Sequence, residues 1–311
     1  RIKNRYTNVL PFDYTRVKLL PVDDEEESEY INANYLPGYN GKREYIAAQG
    51  PLPSTTDDFW RMLWENQVSV VVMLTQCMEK GRVKCEKYWP DSTDPVYYGD
   101  LVVQLRSESN LPDYNIRLFL YLCILQGMKS RTIKQFHFLK WPDFGCPEKT
   151  WLLLNFVTAV RAHLSNSCTG PIVVHCSAGV GRTGTFIATD MLLQQIPDSE
   201  EIDIFGLVLE MRENRSLMVQ TENQYIYIHD CIRDALIDDT DEEELEENIY
   251  ENEGLYLSIS ISIWSQMALI PCSRLNIIRN VHVMAQSHRT ATICDLTATG
   301  ITRSRSNVRK I

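Results

Sequence analysis

The sequence predicts an α/β domain built on a central, twisted, mixed sheet flanked by helices. Two short β-branched runs, 68–74 (VSVVVML) and 171–174 (PIVV), have the composition of strands covered on both faces. Between them, 97–104, 116–125 and 132–141 suit strands of an antiparallel portion. Helical periodicity at 56–66, 149–164, 185–195, 203–214 and 222–237 supplies the covering layers. The 171–174 strand runs into a glycine-rich turn and then the 185–195 helix, and the chemistry below rests on that strand–loop–helix order.

The chain has 311 residues and a net charge of -10, but the acidity is local. Residues 238–253 carry ten acids and no base, and 254–311 carry seven Lys/Arg against one acid. The segments therefore divide into a domain over 1–237, an acidic linker over 238–253 and a tail over 254–311 read as disordered. No basic surface suggests a nucleic-acid partner, and an anionic substrate must be drawn in by a local pocket. Nine cysteines without a CxxC pair, and six scattered histidines, argue against a disulfide framework or a metal site. A reducing, cytoplasmic setting is expected, with no cofactor. The stretch 255–272 is broken by serines and makes a poor membrane span. The abrupt opening at Arg1 reads as the start of a fragment.

The central string is His175-Cys176-Ser177-Ala178-Gly179-Val180-Gly181-Arg182-Thr183-Gly184. A tight loop of small residues turns successive backbone N–H groups inward, forming an anion nest, and the helix that follows adds its positive end. The thiolate of a cysteine at the base of such a cradle is stabilised. Arg182 can grip two phosphoryl oxygens with its planar fork. Nucleophile and oxyanion clamp then share one loop, as phosphoryl transfer requires. The same string contains the glycine spacing of a dinucleotide-binding turn, but that reading needs a second strand after the helix. The segment IPDSEEIDIFGLVLEMR is helical instead, and the reading leaves Cys176 and Arg182 idle. Expelling a phenolate needs a proton donor, and Asp143 in Trp141-Pro142-Asp143-Phe144-Gly145 sits in a turn suited to closing over a pocket.

Several further strings, KNRY (3–6), EYINANY (29–35), YIAAQGP (45–51), DFWRM (58–62), EKGRVKCEKYWP (79–90) and MVQTENQY (218–225), join WPDFG and HCSAGVGRTGTF. Across 1–237 the chain resembles the classical phosphotyrosine-specific phosphatases, lacking their N-terminal helices, and the resemblance implies the cysteine-phosphatase fold. It implies that Cys176, Arg182, Asp143, Gln220 and Thr183 are catalytic. It implies a cleft walled by Tyr6, with Asn8, Val9, Ser177, Ala178, Gly179, Val180, Gly181 and Gln224 binding substrate. Glu79 would brace Arg182, Lys84 would lie near the Asp143 loop, and Trp141 and His175 would support the site. Cleft depth would select phosphotyrosine. The family commonly has Asp where this chain has Asn8, so grip on a peptide main chain is expected to lose charge assistance.

The strings KNRYTNVLPFDYTRVKL, PVYYGDLVVQ and IYENE resemble the single-domain receptor-type subgroup, the vascular-endothelial and density-enhanced phosphatases. That subgroup implies a cytoplasmic domain on a single-pass membrane receptor, with phosphotyrosyl proteins as substrates. Tyr250, with Asn252 two residues on, would when phosphorylated suit a Src-homology-2 adaptor. A binding module without turnover would lack the acid or the nucleophile, and a dual-specificity phosphatase would lack KNRY; this sequence has all three.

Overall fold

The computed structural model describes residues 3–22, 28–127, 129–143, 145–164, 170–199 and 201–237. The acidic linker, Tyr250 and the tail lie outside the described residues. The elements run β1 (Arg16–Lys18), β2 (Tyr30–Leu36), β3 (Tyr45–Ala48), α1 (Thr56–Glu65), β4 (Val70–Met73), β5 (Met78–Glu79), β6 (Arg82–Val83), β7 (Val96–Tyr98), β8 (Leu101–Asn110), β9 (Tyr114–Cys123), β10 (Lys129–Phe138), α2 (Thr150–Ala162), β11 (Ile172–His175), α3 (Gly181–Gln195), α4 (Ile204–Asn214) and α5 (Glu222–Ile237).

Nine strands form one mixed sheet in the order β1-β2-β3-β11-β4-β10-β9-β8-β7, and β5 and β6 pair separately. Its centre is parallel: β11 pairs with β3 and β4, and β4 with β10. The flanks are antiparallel. Side chains alternate along the central strands, so the β-branched runs feed two cores at once. Val70, Val72, Ile172 and Val174 pack with α2, α3, α4 and α5 residues such as Phe156, Phe186, Met211 and Ile228. Val71, Met73 and Val173 face the opposite way, toward α1 and its Phe59, Trp60 and Leu63. Each large apolar side chain buried this way contributes about 1.5–3 kcal/mol. Trp60 is buried among rings, meeting Phe119 edge-on and Tyr98 and Tyr121 at a tilt, while its Nε1–H donates to the Tyr88 carbonyl at 2.6 Å.

Two expected elements differ. The segment 97–104 is not one strand but a hairpin, β7 to β8, because Gly99 turns the chain with φ +57°. The helix expected at 185 begins at Gly181, which places Arg182 and Thr183 in its first turn. Strands β1, β2 and β3 were not anticipated: their sequences mix Asn, Tyr and Ala and lack a clean alternation. The loops following β4, β10 and β11 leave the carboxyl ends of parallel strands on one rim of the sheet, the usual place for a site in an α/β fold.

Candidate active site

The loop after β11 is held open as a cradle by contacts that admit no substitute. Gly179 has φ +72°, and a Cβ there would meet the Ala48 carbonyl oxygen at 2.1 Å, an immovable neighbour in β3. Gly184 passes the backbone of Val219 so closely that a Cβ would lie 2.5 Å from its nitrogen. Cys176 is 5% exposed, and its Sγ accepts hydrogen bonds from Gly179 N at 3.3 Å and Thr183 Oγ1 at 3.2 Å. The first turn of α3 adds N–H groups that have no partner within the helix.

Arg182 projects from that turn and is fixed by two carboxylate contacts, Nη1 to Glu79 Oε1 at 2.6 Å and Nη2 to Glu79 Oε2 at 2.9 Å. Nη1 also donates to the Leu74 carbonyl at 3.0 Å, and Nη2 to the Pro142 carbonyl at 3.1 Å. The loop carrying Asp143 is thereby drawn onto the guanidinium. Asp143 faces Lys84 at 3.0 Å, and that ammonium holds its carboxyl below the usual carboxylate range. Trp141 is buried at the loop's root, its Nε1–H donating to the Gly145 carbonyl at 3.1 Å.

A cavity of about 350 Å³ unites these groups, lined by Cys176, Arg182, Asp143, Lys84 and Glu79 together. Tyr6, Asn8 and Val9 wall it, and the Tyr6 hydroxyl lies 2.9 Å from Ser177 Oγ. Gly145, Ala178, Gly181, Gln220, Thr221 and Gln224 complete the lining. Gln224 Oε1 accepts from the Gln220 N–H at 3.0 Å, fixing the segment whose Val219 adopts φ +57°, a costly conformation for a β-branched residue. Gly179, Val180, Thr183, Trp141 and His175 stand behind the cavity rather than on its lining. Among the described residues no cluster of three or more His, Cys, Asp or Glu side chains is arranged to hold a metal, and the six cysteines there are free.

The model of the family described as protein-tyrosine phosphatase matches residues 1–234. The chain belongs to the protein-tyrosine phosphatase family. It is 52% identical over 237 residues to the human receptor-type tyrosine-protein phosphatase eta, covering 76% of this chain and 18% of that protein. It is 49% identical over 231 residues to the human receptor-type tyrosine-protein phosphatase H, covering 74% and 21%. The human phosphatidylinositol phosphatase PTPRQ is 48% identical over 237 residues, covering 76% and 10%. The chain thus spans about a fifth or less of the length of these curated relatives. The phosphatase domain carries the fold and the receptor-type likeness that its motifs predict.

Sequence reasoning missed the supports behind the cradle. Arg215 is wholly buried and donates to the carbonyls of Gly179 at 2.8 Å and Ala178 at 3.0 Å, and to Asn34 and Asn32 Oδ1 at 2.7 and 2.8 Å. Burial lowers its pKa to about 10. The one signal for it was a pair of asparagines at buried positions of β2, which need a partner. Arg5 ties the Tyr6 wall to the sheet rim by donating to the Pro51 carbonyl at 2.6 Å.

Proposed function

We propose that this domain hydrolyses phosphotyrosine in proteins through a phosphocysteine intermediate at Cys176. The observation that carries the proposal is the convergence on one cavity of a cradled sulfur, a carboxylate-locked arginine and a facing carboxyl group. The Cys176 thiolate attacks phosphorus while the bond to the phenolic oxygen breaks, and Asp143 gives its proton to that oxygen. Arg182 and the loop N–H groups hold the three equatorial oxygens, whose charge they offset in the transition state. Asp143, now a carboxylate, then takes a proton from water positioned by Gln220. The resulting attack on phosphorus breaks the P–S bond and releases inorganic phosphate. Thr183 Oγ1 stabilises the departing sulfur. In the free domain Lys84 favours the ionised form of Asp143; a phosphate dianion entering the cradle opposes that, so substrate binding favours the protonated acid that the first step needs.

The depth of Cys176 beneath the Tyr6 wall supports selection of the long phosphotyrosine side chain over phosphoserine. The receptor-type relatives support a place on the cytoplasmic side of a single-pass receptor; no helix among the described residues is long and apolar enough to cross a membrane. Residues 1–237 are proposed as the catalytic domain, 238–253 as a linker whose phosphorylated Tyr250 recruits a Src-homology-2 adaptor, and 254–311 as a tail. Hydrolysis of a phosphotyrosyl peptide, without metal and with reductant, tests the mechanism. Turnover on phosphotyrosine but not phosphoserine, abolished by Cys176→Ser and strongly reduced by Asp143→Ala, is expected. Peptide binding without turnover by the folded wild type would overturn it and leave a phosphotyrosine-binding module.

A further inference from the structure

The face of the sheet beneath α1 carries a row of polar side chains inside an otherwise apolar core. Glu108, Arg117 and Gln135 are direct cross-strand partners on β8, β9 and β10, and His137 follows two residues along β10. Arg117, Gln135 and His137 are all buried. A buried polar group without a partner costs several kcal/mol, so such a row persists only when every member is satisfied. Here the satisfaction has a direction, and it starts at Arg117.

A guanidinium can only donate. Arg117 Nη1 lies 3.0 Å from Gln135 Oε1 and 3.4 Å from His137 Nδ1, and Nη2 lies 2.8 Å from Glu108 Oε1. Two branches follow. On the first, Gln135 must present its oxygen to Arg117, so its Nε2 donates to Tyr88 Oη at 2.8 Å. Tyr88 Oη then spends its own proton on His175 Nε2, 2.9 Å away. His175 is left with its proton on Nδ1, which faces the Cys176 carbonyl at 3.3 Å. On the second, His137 Nδ1 must accept, so its Nε2–H donates to the Thr75 carbonyl at 2.9 Å. This branch ends at the Thr75 main chain; the Thr75 hydroxyl separately donates to Glu79 Oε1 at 2.9 Å, the oxygen that holds Arg182.

We infer that Arg117 is a positioning residue for the phosphatase reaction, setting the hydrogen-bond polarity of a buried relay that reaches the Cys176 main chain on one branch and the Thr75 main chain, next to the Glu79–Arg182 clamp, on the other. The inference rests on the proposed roles of Cys176 and Arg182. Burial lowers the pKa of His175 to about 3 and of His137 to about 4, so both rings are neutral at physiological pH and their tautomers carry the polarity. Without the guanidinium, Gln135 is free to flip and both rings lose the group that decides which nitrogen is protonated. The carbonyls of Cys176 and Thr75 then lose a fixed donor on the side away from the cavity.

The test reads the ring nitrogens by NMR in the wild-type domain and in Arg117→Met, beside steady-state kinetics on a phosphotyrosyl peptide. In the wild type, His175 is expected as the Nδ1–H tautomer and His137 as the Nε2–H tautomer. The opposite tautomer at either ring overturns the inference, whatever the activity. In Arg117→Met both ring signatures are expected to change and kcat to fall about ten-fold or more, with KM within two-fold, as small displacements of reacting groups do. Unchanged ring signatures and unchanged kcat in that variant overturn it as well. Should Arg117→Met fail to fold, Gln135→Leu cuts one branch only: the His175 signature is expected to change and that of His137 to hold, and an unchanged His175 refutes the relay. A wild type with the expected tautomers but no turnover would count against the proposed function and leave the polarity standing.

Discussion

Replacing Glu79 with glutamine probes how the anion clamp is aimed, with little change in volume. Glu79 is 8% exposed, and each of its oxygens has assigned donors. Oε1 accepts from Arg182 Nη1 at 2.6 Å, Thr75 Oγ1 at 2.9 Å and the Gln76 N–H at 3.2 Å. Oε2 accepts from Arg182 Nη2 at 2.9 Å. A glutamine can satisfy the three donors at Oε1, but its amide nitrogen then faces Arg182 Nη2, donor against donor. One charge-assisted hydrogen bond is lost, worth about 1.5–3 kcal/mol. Arg182 Nη2 keeps only the Pro142 carbonyl as a strong acceptor, and the guanidinium rotates toward it. If that bond is realised in the transition state, kcat/KM falls about 10- to 150-fold, at one decade per 1.36 kcal/mol. The assay is kcat/KM on a phosphotyrosyl peptide below the unfolding temperature, with thermal unfolding of both proteins alongside. A variant that keeps kcat/KM within two-fold of wild type would refute the argument that Glu79 aims Arg182.

Three further outcomes are expected. Lys84 depresses the Asp143 pKa, so Lys84→Met raises it; an acid that must be protonated then works to higher pH, and the basic limb of the kcat/KM profile moves upward. A limb that stays in place or moves down contradicts that coupling. His175 and His137 have folded pKa values of about 3 and about 4, against about 6.5 in an unfolded chain. Only the unfolded chain gains these protons as pH falls below about 6.5, so stability present above that pH is progressively lost toward pH 4. Thermal unfolding between pH 7 and 4.5 measures this, and a constant or rising midpoint on acidification contradicts it. Asn8→Asp restores a charged acceptor at the mouth of the cavity and is expected to lower KM for a phosphotyrosyl peptide about five-fold with kcat unchanged, as charge-assisted bonds are roughly twice as strong as neutral ones. An unchanged KM would mean that the peptide main chain does not pass Asn8.

The sequence by itself determined the parts of this domain whose physics is local. The runs at 68–74 and 171–174 read as strands buried on both faces, as β4 and β11 are, and their alternation into two cores follows from the two-residue period of a strand. The glycine string around Cys176 is legible for the same reason, since a cradle needs residues without a Cβ at fixed offsets. Asp143 was legible from its turn while Glu79 and Lys84 entered through resemblance, and the convergence of the three lies beyond any spacing rule: Glu79 and Arg182 are 103 residues apart and meet because β4 and β11 are parallel neighbours. The supports behind the site were decided by tertiary structure alone. Gln135, His137 and Arg117 are ordinary polar residues of two strands until the sheet places them in register, and Arg215, one residue past the expected 203–214 helix, carries no local signal of its burial. A buried donor or acceptor is defined by what surrounds it, and which partners reach it is fixed only when strands distant in the chain are brought side by side.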